Sequence, residues 1–254
     1  MELQNCMTDM LSTLASSFGD KALMLVDKDG TPAGNILGTE MVAAIEYQKE
    51  KRPSRLPKEY KELAWINNDL TCYLNTGYVP VGDEVFDMDV VLTEASNNSS
   101  RFTQIMGCRV GAVGTSSTNC WLGINNSRTL LSRFGTVNPT GTITLTIGTE
   151  YHVTVDLANK VTTVNDSQYT YANSDIHGIS IPVHLFHVNQ GSGSSLAVAG
   201  KLSMLSYVIR RGGEKIMELV PSMRLGDSEV GMYNLVSNTF LTNIGTGSFV
   251  YGEL

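Results

Sequence analysis

Two carboxylates that could perform acid–base chemistry lie in the stretch from Asp87 to Leu92. Asp87 and Asp89 are two positions apart, so in a β-strand both side chains lie on the same face. Glycoside hydrolysis uses paired acids, one as nucleophile or base and one to protonate the leaving group. The strand motif that carries such acids, E-x-D-x-x-E, would need a third acid at position 92, where the sequence has Leu92. Glu84 and Glu94 do not fall at motif positions. We therefore predict a solvated acidic strand face and no catalytic site, so the protein is not expected to be an enzyme.

The four histidines are the next residues that could transfer protons or hold a metal ion. His184 and His187 are three positions apart, which in a strand directs them to opposite faces. His152 and His177 have no cysteine or carboxylate cluster nearby at a ligand spacing. We predict surface or satisfied core histidines and no metal site. The sequence also lacks a Gly-x-Ser-x-Gly elbow and a phosphate-binding Gly-x-x-x-x-Gly-Lys motif.

The four cysteines, Cys6, Cys72, Cys108 and Cys120, are at unrelated spacings, and none forms a Cys-x-x-Cys pair. Zinc binding and thioredoxin-type chemistry are therefore not predicted. A disulfide between Cys108 and Cys120 stays open, while reduced and partly buried thiols are the default expectation.

The best sequence candidate for a binding site is an aromatic residue among polar neighbours. Trp121 is near Arg109, Asn125 and Arg128 in the sequence. Sugars bind where an aromatic face stacks on the ring and a few planar polar groups fix its orientation. Trp121 could instead be a core aromatic of its own strand, and both interpretations stay open. Trp65 is predicted to be a core residue.

Composition limits the classes of protein and partner. The chain has 254 residues, of which 42% are hydrophobic, so it can bury a core and is not wholly disordered. Its formal net charge of -7 argues against a nucleic-acid partner. No stretch approaches the roughly 20 apolar residues of a membrane helix. The N-terminal residues 1–4 lack the basic flank and apolar core of an export signal. We expect a soluble protein that is made in the cytoplasm and has no membrane partner.

From Pro57 onward the hydrophobic pattern has a period of two residues. Residues 86–90, 142–147 and 151–157 alternate apolar and polar side chains, which is typical of half-buried strands. Turn residues interrupt the pattern every eight to twelve positions or so. Many short strands with such turns predict a mainly β fold, an antiparallel two-sheet jelly-roll sandwich over residues 53–254.

Residues 1–52 have a different pattern and predict a small α/β segment. Apolar residues from Met7 to Phe18 recur every three or four positions, as in an amphipathic helix. Residues 22–26 predict a strand, and Thr39 is a candidate N-cap of a second helix. A segment of about 50 residues can hardly fill its own core. We expect the main domain, a second copy or a partner to cover its apolar stripe.

The two ends of the β region resemble a known family. The opening residues 56–66 and 74–80, and the closing residues 216–223 and 231–249, are similar to the concanavalin A-like (laminin-G-like) jelly roll of virion proteins from tailed phages and prophages. The middle of the domain, residues 101–157, matches that family only in its pattern.

The resemblance implies a role as well as a fold. It implies a non-enzymatic phage virion structural protein, a head or tail fibre or decoration protein, whose lectin-like jelly roll attaches to surface glycans of a host. Residues 1–52 would then bind other virion proteins or further copies, and related fibres are commonly homotrimers. Laminin-G-like domains commonly hold a structural calcium ion, so the resemblance leaves calcium open as the one cofactor.

Two other functions compete with this interpretation. A bacterial carbohydrate-binding surface module would need export, and the sequence shows no export signal. A glycoside hydrolase would need the complete acidic motif that Leu92 interrupts.

Overall fold

The structure is a computed structural model of the chain, which divides into two compact units, Met1–Ser54 and Arg55–Leu254. It describes residues 22–26, 32–37, 55–111, 118–135, 141–170, 176, 178–191 and 198–254. In the first unit, strands β1 (Ala22–Val26) and β2 (Pro32–Leu37) form an antiparallel hairpin. The strand expected at residues 22–26 is therefore present as β1, and both expected helices lie outside the described residues.

The second unit consists of two antiparallel sheets, one of ten strands and one of five. The strand order of the large sheet is β11-β10-β9-β5-β13-β3-β14-β15-β16, and β17 pairs with β3. Its strands are β3 (Tyr60–Asn67), β5 (Glu84–Glu94), β9 (Glu150–Asp156), β10 (Val161–Val164), β11 (Ser167–Thr170), β13 (Lys201–Arg211), β14 (Glu214–Arg224), β15 (Glu229–Asn234), β16 (Thr239–Thr242) and β17 (Val250–Glu253).

The small sheet has the order β4-β12-β6-β7-β8. Its strands are β4 (Leu74–Asn75), β6 (Thr103–Val110), β7 (Thr118–Ile124), β8 (Leu130–Gly135) and β12 (His184–Leu185). The described residues form strands and turns and no α-helix, so the predicted antiparallel sandwich is confirmed. Nowhere in these ranges is there a helix with the length and apolar character of a membrane span.

The core lies between the two sheets and follows the period-two pattern. Phe86, Met88 and Val90 of β5 are fully buried, as their alternation with acids predicts. Met106 of β6 belongs to the same cluster, and the Tyr207 hydroxyl of β13 contacts its sulfur at 3.4 Å. Each such side chain contributes about 1.5–3 kcal/mol when fully buried. The interior of the sandwich is therefore apolar and continuous between the sheets.

The prediction of a strand at residues 142–147 is wrong. This stretch forms a single bridge, Thr144 with Thr129, and no ladder. Two backbone hydrogen bonds attach it to the β7–β8 turn, from Leu130 N to Ile143 O and from Leu145 N to Arg128 O. Only Leu145 of the alternating residues is buried, because no neighbouring strand continues the pairing.

The described thiols are free and buried. Cys108 and Cys120 are directly opposite each other on β6 and β7. A hydrogen bond with Cys108, followed by burial, raises the pKa of Cys120 well above its usual value. Burial raises the pKa of Cys72 to about 12. The thiols of Cys72 and Cys120 are therefore protonated at neutral pH and unsuited to act as nucleophiles.

Asp69 connects the start of the domain to its end. Its carboxylate accepts hydrogen bonds from the backbone N–H and hydroxyl of Thr71, from Cys72 N–H and from Ser248 N–H, at 2.8 to 3.1 Å. Partial burial by itself would raise the pKa of Asp69, but these donors lower it to about 2. The ionised carboxylate therefore holds residue 248 against residues 69–72.

Asp69→Asn is expected to remove a pH-dependent part of the stability. The native pKa of Asp69 is about 2 and its ordinary value is 3.8, so the stabilisation is complete near pH 5 and declines as the pH falls toward 2. We expect the variant to lose about 1–2 kcal/mol at pH 7, allowing for solvent screening. Urea unfolding of both proteins at pH 7 and pH 2.5 measures this, and an equal difference at both pH values would contradict it.

Candidate functional site

An open groove lies on the outer face of the large sheet, the face directed away from the small sheet. Its volume is about 520 Å³, within the range of about 300–1,000 Å³ for small-molecule sites. We call it the Trp65 groove. Its apolar wall consists of Trp65, Val91, Leu205 and Val250, and polar residues complete its lining. Val91 faces outward because the buried residues of β5 occupy the alternate positions, and Trp65 alternates in the same way with the buried Ile66 of β3.

Trp65 is half-buried in this groove and does not belong to the core between the sheets, so the prediction of a core residue is wrong. Its partner on β17 is Gly252. A Cβ at Gly252 would come within 2.4 Å of the indole Nε1, so only glycine leaves room for the ring there. Gly252 therefore supports one side of Trp65, while the ring also lines the groove.

The accessible lining of the groove is mainly apolar, and beneath it three polar side chains are hydrogen-bonded to one another. The Asn67 carboxamide donates to Thr93 Oγ1 and to Ser203 Oγ, both at 2.9 Å. Asn67 and Ser203 are 8% and 4% exposed, so their positions are held by packing. At the rim, Lys201 forms an ion pair with Glu94 at 2.9 Å. The groove thus combines one aromatic wall with hydroxyl and carboxamide groups.

Next to the groove, polar side chains of β5, β9 and β13 form a connected set that we call the polar row. Asp89 accepts hydrogen bonds from Ser206 Oγ at 2.5 Å and from His152 Nδ1 at 2.7 Å. Because a carboxylate can only accept, Nδ1 of His152 carries the proton. Asp87 accepts hydrogen bonds from Thr154 Oγ1 and Arg210 Nε, both at 2.9 Å. The members of the row are Asp87, Asp89, His152, Thr154, Ser206 and Arg210.

The structure distributes the four sequence-predicted site residues over two places. Trp121 and Arg109 are on the outer face of the small sheet, 3% and 4% exposed. They share that face because Trp121 pairs with Gly107, two positions before Arg109. The Trp121 ring lies 5.5 Å from Phe102. Burial, with repulsion from a neighbouring guanidinium, lowers the pKa of Arg109.

The other two residues belong to the turn between β7 and β8. Asn125 Oδ1 accepts a hydrogen bond from Thr129 N–H at 2.8 Å. Arg128 is exposed and has a φ of +65°. Trp121 is therefore buried, as the core interpretation requires. It is buried on the outer face of the small sheet and not in the core between the two sheets. The four residues do not meet in one open groove.

His184 and His187 lie close together, and the expectation that they face opposite ways is wrong. Phe186, between them, has a φ of +64°, so β12 ends at Leu185 and the alternation stops. Both imidazoles stack on Tyr73, with ring centroids 5.2 and 4.4 Å away. Nδ1 of each histidine is buried without a hydrogen-bond partner.

This pair predicts a loss of stability in mild acid. Burial, followed by the charge of His187, lowers the pKa of His184 to about 4, and burial lowers the pKa of His187. The unfolded chain takes up these protons first, so stability falls as the pH drops from about 6.5 toward 4. Between pH 7 and pH 5 we expect the wild type to lose about 1–2 kcal/mol more than the double variant His184→Gln/His187→Gln. Urea unfolding measures both, and identical pH slopes would contradict it.

Metal binding is the remaining chemistry to consider. Among the residues with described coordinates, no three His, Cys, Asp or Glu side chains converge as a metal site would require. His152 is exposed and bonded to Asp89, and His177 lies outside the described residues. A structural calcium ion stays an expectation of the family resemblance.

Comparisons with known proteins give weak likenesses. No protein-family model and no curated protein matches the chain. A mutant of Trypanosoma rangeli sialidase with trans-sialidase activity is 12% identical, with a TM-score of 0.41, over 80% of this chain and 36% of that one. The CBM40 of the Ruminococcus gnavus IT-sialidase, bound to α2,3-sialyllactose, is 12% identical, with a TM-score of 0.38, over 60% of this chain and 91% of that one. The chain thus spans about a third of the first of these, and likenesses at this level carry no argument about function.

Proposed function

We propose that this protein is a carbohydrate-binding β-sandwich whose ligand lies in the Trp65 groove. The observation that carries the proposal is the half-buried indole of Trp65 beside the hydroxyl of Thr93 and the carboxamide of Asn67. A sugar ring presents an apolar C–H face and polar edges, so it complements a site with one aromatic wall and a few oriented hydrogen-bonding groups.

The charges of the groove favour an uncharged sugar. Glu150 contributes a carboxylate at the exposed start of β9, and the Lys201 ammonium is bonded to Glu94. An anionic sugar would be repelled by the Glu150 carboxylate, and the nearby Lys201 ammonium is already paired with Glu94. Like charges at an interface reduce affinity. Neutral glycans are therefore the expected class of ligand.

The protein binds this ligand without turnover in our proposal. Each oxygen of Asp87 and of Asp89 already accepts a hydrogen bond from a neighbouring side chain. Glycoside hydrolysis needs one carboxyl group directed at the leaving-group oxygen and a second directed at the sugar ring or a water, whereas both oxygens of each acid here are bonded to protein neighbours. Reducing-sugar release from the bound glycan should stay at background. Turnover that Asp87→Asn or Asp89→Asn abolishes would contradict this.

The finer form of the proposal is a structural protein of a phage virion, which would display the sandwich for attachment to host glycans. The resemblance of residues 216–223 and 231–249 to virion jelly rolls supports it. The protein would be made in the host cytoplasm, and residues 1–52 would bind other virion proteins or further copies in a homotrimer. Size-exclusion chromatography with light scattering on the full chain tests the assembly, and a monomer at all concentrations would count against it.

A glycan array tests the central proposal. The full chain should bind a subset of neutral glycans and leave their sialylated counterparts unbound, and calorimetric titration should then give one site per chain. Binding to no array glycan would overturn the proposal. Binding to sialylated glycans alone would contradict the charge argument.

A further inference from the structure

The polar row continues the Trp65 groove along the strands. We infer that the site takes an extended, linear and uncharged glycan chain, with one sugar ring against Trp65 and the following rings along the polar row. This inference rests on the proposed function and adds to it the length and direction of the ligand.

The register of the strands sets this direction. Val91, in the groove, pairs with Glu150 on β9 and with Ser203 on β13. Two positions further along β5, Asp89 pairs with His152 and Ser206. After two more positions, Asp87 pairs with Thr154 and Val208, so the polar row follows β5 away from the groove.

The length of this path exceeds what one sugar ring needs. Residues of one strand face are two positions apart, or about 6.6–6.8 Å. The six positions from Thr93 to Asp87 therefore cover about 20 Å. The groove itself occupies one end of that path, because Thr93 and Val91 line it and Asp89 and Asp87 do not. Several linked sugar rings can lie along the remainder.

The polar row has hydrogen-bonding capacity that its internal bonds do not use. A carboxylate has about four lone-pair sites, and two are occupied in Asp87 and two in Asp89. Sugar hydroxyls can donate to the rest. Arg210 donates to Asp87 through Nε, and 36% of its side chain is exposed. Because neighbours already fix both carboxylates, binding would cost little side-chain ordering.

Charge selects among linear glycans. Asp87, Asp89 and Glu150 line the path with three carboxylates, and Arg210 and the His152 imidazole are the basic groups of the polar row. At the groove end, the Lys201 ammonium is paired with a fourth carboxylate, that of Glu94, so carboxylates still outnumber the cations. A uronate or sulfated chain would bring further negative charges against these carboxylates. Neutral chains avoid that repulsion and can still donate their hydroxyls.

A chain-length series tests the inference with the full chain. The probes are cello-, malto- and chito-oligosaccharides from one to six units, titrated by calorimetry. For the series that binds, affinity should rise at least tenfold from one to four units and then level off. Asp87→Ala and Arg210→Gln should each remove most of that rise and leave the affinity for the shortest ligand unchanged. Asp227→Asn, which alters an exposed acid paired with Arg224 on the β14–β15 turn, is the matched control and should change neither.

The outcomes separate the two proposals. Binding of neutral glycans with no gain in affinity with length overturns this inference and leaves the Trp65 groove as a single-ring site. Tighter binding of polygalacturonate than of any neutral chain overturns it as well. If the protein binds no neutral glycan, either on the array or in the series, the proposed function and this inference are both overturned. Thermal unfolding of both row variants checks that their folds are intact, and a length effect that persists in either intact variant overturns the path along the polar row.

Discussion

Trp65→Ala is expected to weaken binding of the best array glycan at least 30-fold, which corresponds to about 2 kcal/mol, the usual threshold for a dominant contact. The physical reason is that the indole is the one aromatic face in the groove lining. Its loss removes both the stacking surface and part of the wall that excludes water. Calorimetric titration of the full-length variant measures the change.

Two further variants separate stacking from folding. Tyr251→Ala removes an exposed aromatic from β17 at the position between Val250 and Gly252, so alternation directs it away from the groove, and binding should not change. Gly252→Ala puts a Cβ within 2.4 Å of the Trp65 indole, so the ring must shift and binding should weaken. Unchanged affinity in both Trp65→Ala and Gly252→Ala would show that the ligand binds elsewhere.

Glu84→Gln is expected to reduce the free energy of unfolding by at least about 3 kcal/mol. Glu84 is fully buried at the start of β5. Its carboxylate accepts hydrogen bonds from the Tyr78 hydroxyl at 2.5 Å, from Val81 N–H at 2.7 Å and from Gly82 N–H at 2.8 Å. A carboxamide would put an N–H donor where three donors already converge. It would also replace bonds to a carboxylate with bonds to a neutral acceptor, which are weaker. Burial, followed by the bond to Glu84, raises the pKa of Tyr78, so the phenol remains a donor at neutral pH.

The neighbouring acid supplies the control. Asp83 is exposed and pairs with Arg211 at 2.7 Å, so Asp83→Asn should change stability by no more than about 0.5 kcal/mol. Urea unfolding at pH 7 compares the two variants, and the loss in Glu84→Gln should lower the melting temperature by about 6–12 °C. Similar stabilities for the two variants would mean that the buried carboxylate contributes no more than a surface acid.

The sequence was a good guide wherever burial depends on local alternation. The buried residues of β5 were predicted from their two-residue period, and the strand at residues 22–26 was predicted from its continuous apolar run. The closing strands β14, β15 and β16 lie in the stretches that resemble the jelly-roll family. The same pattern misled at residues 142–147, because alternation describes a strand only if a neighbour is available to pair with it.

The candidate site depended on contacts that are distant in sequence. Trp65 lines a groove because β3 lies between β13 and β17. Ser203 of β13 and Gly252 of β17 pair with β3, and both are more than 130 residues from it in the sequence. Its alternation with Ile66, which is buried in the core, was a signal that Trp65 faces outward. Trp121 was the more prominent candidate because polar residues surround it in the sequence, yet the fold buries it beside Phe102.

By itself, the sequence determined that the second unit is an antiparallel β-sandwich and which side chains of its long strands face inward, because these follow from the two-residue period of each strand. Only the tertiary structure decided which strands are neighbours, and therefore that Trp65, Asn67 and Ser203 meet at one groove and that Asp87 and Asp89 continue it. A binding surface on a sheet is assembled across strands, and a periodic pattern along one strand contains no information about the strand beside it.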